Sequence, residues 1–279
     1  MTRRHWLLAA AGPYNRLEYS EPHMGTLVTI KVDTRNALRA EQAVRRAFAR
    51  IHELDMRLSN YQADSEVNHF DPTRISADLR PPLELATRLR QQTGGRFDVT
   101  RTALFDLWRS ARKTGRLPAA DAIAKARSTE EGRLDLGGIA KGYAGDEALR
   151  VLREAGEGRA LVAVSGDLVA GDGAWRVSLE LTGRTISLRR AAVSTSGDTE
   201  QYLLAGGQRY SHIVDPLTGM GLTNGVVASV VARSGMLADA LATAVCLLGV
   251  QEGTRLARRY GASVHACLGS PPSERAFED

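Results

Sequence analysis

Between Leu27 and Val32 apolar and polar residues alternate, as in a strand with one face buried. From Ala37 to Leu54 the rhythm changes, and Leu38, Ala40, Val44, Phe48 and Ile51 recur at helical spacing. A strand and then a helix therefore open the domain. A polar loop, LSNYQADSEVNHFD, leads to a second helical stretch around Leu83 to Leu89, which Thr93 to Gly95 closes. Arg101 to Arg127 reads as short helices broken at Gly115 and Pro118, so residues 101–130 are expected to form a helical insert, a smaller additional lobe. From Arg133 a strand runs into LDLGGIAKGYAGDEALRVLREAG, a glycine turn that opens a helix ending near Gly156.

Short β-like runs follow at Ala160–Val164, Trp175–Leu179, Thr185–Leu188, Ala192–Ser196, Tyr210–Val214 and Val226–Val231, separated by glycine-containing turns. Two helices, Leu237–Leu248 and Gln251–Tyr260, and a strand, Ser263–Cys267, complete the pattern. Because the strands cluster instead of alternating strictly with helices, the expected class is α+β.

Composition narrows the function classes. The 279 residues leave room for one large domain or two closely packed lobes, and 43% hydrophobic with 25% charged residues excludes a disordered or collagen-like chain. No apolar run reaches the roughly 18 residues needed to span a bilayer, so no transmembrane segment is expected. The net charge is +5, yet the basic residues are scattered among acids with no aromatic-interleaved stripe. No nucleic-acid partner is expected, and an anionic small ligand accounts for the excess equally well. Cys246 and Cys267 lie in apolar stretches without metal-ligand spacing and read as buried free thiols. At the start, Arg3 and Arg4 precede an apolar run, Trp6 to Ala11, that is short for a signal h-region. Residues 1–16 are expected to be a truncated signal or a disordered start, and 17–279 a single domain.

Three constellations carry candidate chemistry. In GGIAKGYAGDE, Gly137 to Glu147, glycines let backbone approach a ligand, the helix start offers unpaired N–H groups to phosphate, and Lys141 adds a mobile charge. An ordinary strand-to-helix turn with a solvated lysine would look the same. Asp239 and Thr243 stand four apart on an otherwise apolar helix, a pair that suits Mg2+ with phosphate and water as further ligands. A dipole-stabilised aspartate and a threonine bonded back to the helix are the alternative. In YSHIVDPLTG, His212 on a strand is a candidate general base or a structural hydrogen-bonder, and Asp215 before Pro216 reads as a turn-former.

Taken together and in this order, MGT at Met24 to Thr26, LSNYQADSEVNHF, TGGRFDVT, LDLGGIAKGYAGDEA, VSGDLVAGDGAW, STSGDTEQY, RYSHIVDPLTG and ADALATAVCLLG resemble the FAD:protein FMN transferase family, the ApbE family, over roughly Met24 to Gly249. The resemblance implies a tunnelling-fold-like core with an added lobe and FAD between them. It implies that Met24 and Tyr61 pack on the flavin or adenine, that Arg96, Phe97 and Asp98 line the cofactor, and that Lys141, Glu147 and Ile213 contact it. It implies a Mg2+ site made by the Ala144 carbonyl, Asp239 and Thr243, with His212 as base. Ser196 and Gly197 fall near the ligand with no role assigned.

The activity implied is Mg2+-dependent transfer of FMN from FAD to a Ser/Thr hydroxyl of an acceptor flavoprotein subunit, releasing AMP. An FAD pyrophosphatase and a non-catalytic FAD-binding protein are the alternatives. Met220 and Gly221 stand where the family commonly has a proline, Thr199 replaces a frequent aromatic, and the lipoprotein cysteine is missing. The resemblance further implies a periplasmic or cell-envelope location, and a start that is no signal would imply the cytoplasm.

Overall fold

A computed structural model describes residues 3–6, 14–129, 132–179, 183–199 and 201–268. The opening hairpin pairs β2 (Asn15–His23) with β3 (Thr26–Thr34), and the two-residue loop between them puts Met24 at φ 51° and Gly25 at φ 69°. Two successive positive φ angles are what a tight hairpin needs to match strand twist, which explains the glycine; Met24 adopts the same conformation without that freedom. Along β3 the side chains of Val28, Ile30 and Val32 are fully buried, as the alternation predicted. Strand β2 went unpredicted because its apolar face is only Leu17 and Tyr19 set among charged residues.

Of the 1–16 segment, β1 (Arg3–Trp6) pairs antiparallel with β2, and residues 15 and 16 belong to β2 itself. Residues 1–2 and 7–13 lie outside the described residues.

Eight strands make one sheet in the order β1-β2-β3-β4-β5-β8-β13-β14, with β4 (Ala160–Val164), β5 (Asp167–Ala170), β8 (Ala191–Ser196), β13 (Val226–Ala232) and β14 (Ser263–Leu268). Every neighbouring pair is antiparallel. Helices α1 (Ala37–Leu58), α5 (Ala140–Glu154), α6 (Gly235–Leu248) and α7 (Val250–Arg259) cover one face and share the main core with it. Helix α1 is capped by Asn36, whose side chain accepts from Arg39 N at 3.0 Å. Its buried stripe runs through Ala40, Val44, Ala47, Ile51 and Leu54, whereas Leu38, expected on that stripe, is 67% exposed. The other face carries a ribbon of β6 (Trp175–Leu179) and β7 (Arg184–Leu188), whose Trp175, Val177 and Leu188 meet Leu161 and Val193 of the sheet. Layers on both sides explain why successive residues of β13 are buried instead of alternating with exposed ones.

Helix α2 (Arg80–Gln92) starts earlier than expected, because Pro81 and Pro82 sit in the first turn, where a missing N–H costs nothing. Helices α3 (Thr102–Thr114) and α4 (Ala120–Ser128) occupy the segment read as an insert. They pack on the ribbon of β9 (Tyr202–Ala205) and β10 (Gln208–Ser211) and on β11 (Val214–Asp215), which pairs with β12 (Met220–Gly221). Leu104, Trp108, Leu203 and Val214 form a separate small core there, and the Trp108 indole donates to Gly219 O at 2.8 Å. The lobe is therefore built from two distant stretches of chain, and it carries His212 towards the helical layer. Among the described residues no helix is long and apolar enough to cross a membrane. Cys246 is buried as expected, but Cys267 on edge strand β14 is only half-buried.

Candidate functional site

A cavity of about 600 Å³ opens where the small lobe meets the sheet and helices, a size within the usual range for ligand sites. Helices α5 and α6 organise its floor. They cross at Gly142 and Gly235 so closely that a Cβ on Gly142 would lie 2.1 Å from the Gly235 carbonyl oxygen. The approach lets Gly142 N donate to Asp239 Oδ2 at 3.0 Å across the helix boundary. Asp146, one turn along α5, accepts from Gly235 N at 2.7 Å and Met236 N at 2.9 Å, holding the start of α6 against α5. Ser234 caps the same helix end.

Asp239 is the one charged residue on the buried face of α6 and is 2% exposed. Burial first, and then the neighbouring carboxylate of Asp167, push its pKa up; Lys141 and the Gly142 N–H oppose them. Lys141 Nζ lies 3.2 Å from Asp167 Oδ2 and 3.6 Å from Asp239 Oδ2. Burial works against the lysine charge, but the two carboxylates outweigh it and hold its pKa above the usual value. Thr243, one turn after Asp239, brings Oγ1 to 3.3 Å from Ser196 Oγ. Gly138 packs on it so tightly that a Cβ there would be 2.9 Å from Thr243 Oγ1. Two buried carboxylates, a hydroxyl and a nearby backbone suit a hard cation that completes its shell with phosphate and water. Among the described residues there is no group of three His, Cys, Asp or Glu able to hold a metal by themselves.

His212 faces the same cavity from the small lobe. Its backbone N–H donates to Gln201 O at 3.0 Å, and Nδ1 lies 3.1 Å from the same carbonyl. A carbonyl can only accept, so Nδ1 carries the proton and Nε2 presents a lone pair. Burial pushes the imidazole down to about 4, so it is neutral at physiological pH.

Met24 enters the cavity from its positive-φ turn, with its N–H donating to Asp55 Oδ2 at 2.8 Å. Tyr61 stands at the mouth, 78% exposed, with the Arg109 guanidinium 5.6 Å from its ring centre. Phe97 and Ile213 line the wall. Arg96 also lines it, but its guanidinium is engaged by the buried Asp215 carboxylate, which in turn accepts from Leu217 N at 2.9 Å as the turn-former expected of it. Asp98 turns its carboxylate to Arg90 at 3.0 Å and Arg101 at 3.2 Å, so its direct part in the site is steric.

Two expected residues are not brought to the cavity. Ala144 is fully buried in the second turn of α5, where a helical carbonyl is taken up by the i+4 N–H. Glu147 points the other way, to Arg50 at 2.8 Å and Arg150 at 3.1 Å, and these partners, against the cost of burial, hold its pKa below the usual value. Sequence reasoning missed Asp135, whose Oδ1 accepts from Gly137 N at 2.8 Å and whose Oδ2 accepts from Asn60 at 3.0 Å and is paired with Arg109. The Asp-x-Gly spacing of an Asx-type turn was the available signal. It missed Asp167 as well, although that residue stands in VSGDLVAGDGAW, one of the motifs that carry the resemblance.

A sequence model of the ApbE family matches residues 24–268. The chain belongs to the ApbE family. The FAD:protein FMN transferase of Vibrio cholerae serotype O1 is 28% identical over 302 residues, covering 91% of this chain and 90% of that one. The FAD:protein FMN transferase of Klebsiella pneumoniae is 28% identical over 87% of this chain and 81% of its own length. Among solved structures, the apo form of Pseudomonas stutzeri flavinyl transferase ApbE superposes with a TM-score of 0.77 at 28% identity, covering 90% of each chain. A variant of Vibrio cholerae flavin transferase ApbE reaches 0.80 at 26% identity, covering 92% of this chain and 94% of that one. The α+β class expected from the clustered strands is that of these ApbE structures, and the family places this chain among transferases.

Proposed function

We propose that this ApbE-family protein transfers the FMN half of FAD to a serine or threonine hydroxyl of an acceptor protein, releasing AMP, with Mg2+ as cofactor. The observation that carries the reading is that Asp239, Thr243, Lys141 and the bare Nε2 of His212 line one cavity. The relatives' activity, FAD:protein FMN transfer, accords with it. Asp239 and Thr243 would hold Mg2+, and the Ala144 carbonyl that the family resemblance implies as a third ligand is buried in α5. When bound, the ion supplies charge neutralisation for the diphosphate.

The chain's own groups divide the remaining work. Lys141, freed from its carboxylates as phosphate enters, spreads the negative charge of the departing AMP. His212 Nε2 accepts the proton of the acceptor hydroxyl. That oxygen bonds to the phosphorus bearing riboflavin, the P–O bond to the AMP phosphate breaks, and the electron pair leaves with AMP. Met24, Phe97 and Ile213 give the flavin an apolar seat from which water is excluded.

Incubation of the protein with FAD, Mg2+ and an acceptor carrying a Ser/Thr flavinylation motif tests donor, metal and acceptor together. Mass spectrometry should find the acceptor heavier by one FMN joined through a phosphoester, with one AMP per modification. AMP released beside an unmodified acceptor would replace the transferase reading with hydrolysis.

A further inference from the structure

The turn between β4 and β5 is two residues long, and Ser165 adopts φ 57° in it. The residue that emerges from it, Asp167, is 3% exposed and lines the cavity. Its Oδ1 accepts from the Ser194 hydroxyl on the neighbouring strand β8, which fixes the side chain. Among the described residues its Oδ2 is met only by the Lys141 ammonium, whose Nζ stands 3.2 Å away as an ion pair. A buried carboxylate oxygen is costly unless a cation meets it. The one ammonium at this place is shared with Asp239, so two carboxylates face a single positive charge.

We propose that Asp167 is a second carboxylate of the cation site, and that Lys141 occupies the space between Asp167 and Asp239 until a divalent cation displaces it. This rests on the cation site proposed above and extends it to a residue on the sheet, opposite the helix that carries Asp239 and Thr243. Lys141 is then a tethered substitute cation. It keeps the two carboxylates from facing each other uncompensated, and on cation entry it becomes available to phosphate.

The test is cation binding by the full chain without FAD, read from free Mn2+ by electron paramagnetic resonance during titration, with circular dichroism checking the fold of each variant. Asp239→Asn serves as the reference. Loss of a carboxylate partner in a metal site typically weakens affinity about 10- to 100-fold, so Asp167→Asn should lose at least about tenfold. Lys141→Met, which leaves both carboxylates in place, should bind Mn2+ more tightly than the parent, and that gain should vanish in the Asp167→Asn background. If Asp239→Asn weakens binding while Asp167→Asn does not, or if Lys141→Met gives no gain, the inference is wrong and the Asp239 site stands. Unchanged binding in Asp239→Asn would instead overturn the cation site itself. Should Asp167→Asn fail to fold, the Lys141→Met arm alone decides.

Discussion

Replacing Gly142 with alanine perturbs the one contact on which the geometry of the site depends. The added Cβ would stand 2.1 Å from Gly235 O, 2.4 Å from Gly235 C and 2.9 Å from Asp239 Cβ. Carbon atoms pack at about 3.5–4.0 Å, so α5 and α6 must separate by on the order of 1 Å. Two of the three obstacles are backbone and cannot rotate away. Overpacking of this kind costs roughly 1–3 kcal/mol, here towards the upper end, while alanine in place of a helical glycine returns about 1 kcal/mol. A net loss of about 1–2 kcal/mol corresponds to a melting temperature lower by roughly 2–8 °C for a chain of this size. The larger effect should be on turnover. The same 1 Å breaks the Gly142 N to Asp239 Oδ2 bond and shifts Asp239 relative to Lys141, and a misplacement of that size costs about 100-fold in rate. Thermal unfolding by circular dichroism and AMP release at 25 °C measure both. A variant that melts like the parent and turns over at the parent rate would refute the close-crossing argument.

His212→Ala should slow transfer roughly 100- to 10,000-fold while FAD still binds, measured by AMP release and by flavin fluorescence titration. Because the neutral imidazole is the active form and burial pushes its pKa down to about 4, the His212-dependent rate should be flat through neutrality and fall as pH drops through about 4; a midpoint near 6.5 would contradict that burial. Asp146→Ala leaves Gly235 N and Met236 N without their acceptor and should cost roughly 1–3 kcal/mol, read from denaturant unfolding, with turnover reduced although Asp146 does not line the cavity. Glu147→Gln should lower stability by about 1 kcal/mol through the Arg50 pairing and leave FAD affinity unchanged; a tenfold weaker FAD affinity would return Glu147 to the site.

Periodicity made the helices and the half-buried strands legible, because each of them buries one face against one layer. It failed where that condition fails. Strand β2 has too short an apolar face to register, whereas β13 was expected from its β-like run although burial on both faces removes its alternation. Leu38 satisfied the helical spacing of α1 yet faces solvent, since the buried stripe runs through Ala40, Ala43, Val44, Ala47, Phe48, Ile51, Leu54 and Leu58 and leaves Leu38 at its edge. The helices at 101–130 were read as an insert, and their small core also takes in Leu203 and Val214, about a hundred residues away from Leu104 and Trp108. No local pattern encodes that meeting.

The site shows the same division in sharper form. Asp239 and Thr243 were legible because four residues make one helical turn, so their proximity is a local fact. Asp167 and Asp135 come from turns whose direction only the assembled sheet and lobe decide. Ala144 and Glu147 stand off the cavity lining because of their register along a single helix. Gly138 and Lys141 stand at the mouth of α5, where the chain is still leaving its turn and faces the cavity. At about 1.5 Å of rise per residue, Ala144 lies roughly 4.5 Å further along the helix than Lys141, and Glu147 roughly 9 Å further. By then α5 has carried its side chains into the core and to Arg50. A helix start exerts its pull on an anion only within its first turn, so Gly138 and Lys141 are the residues of this segment placed for that effect.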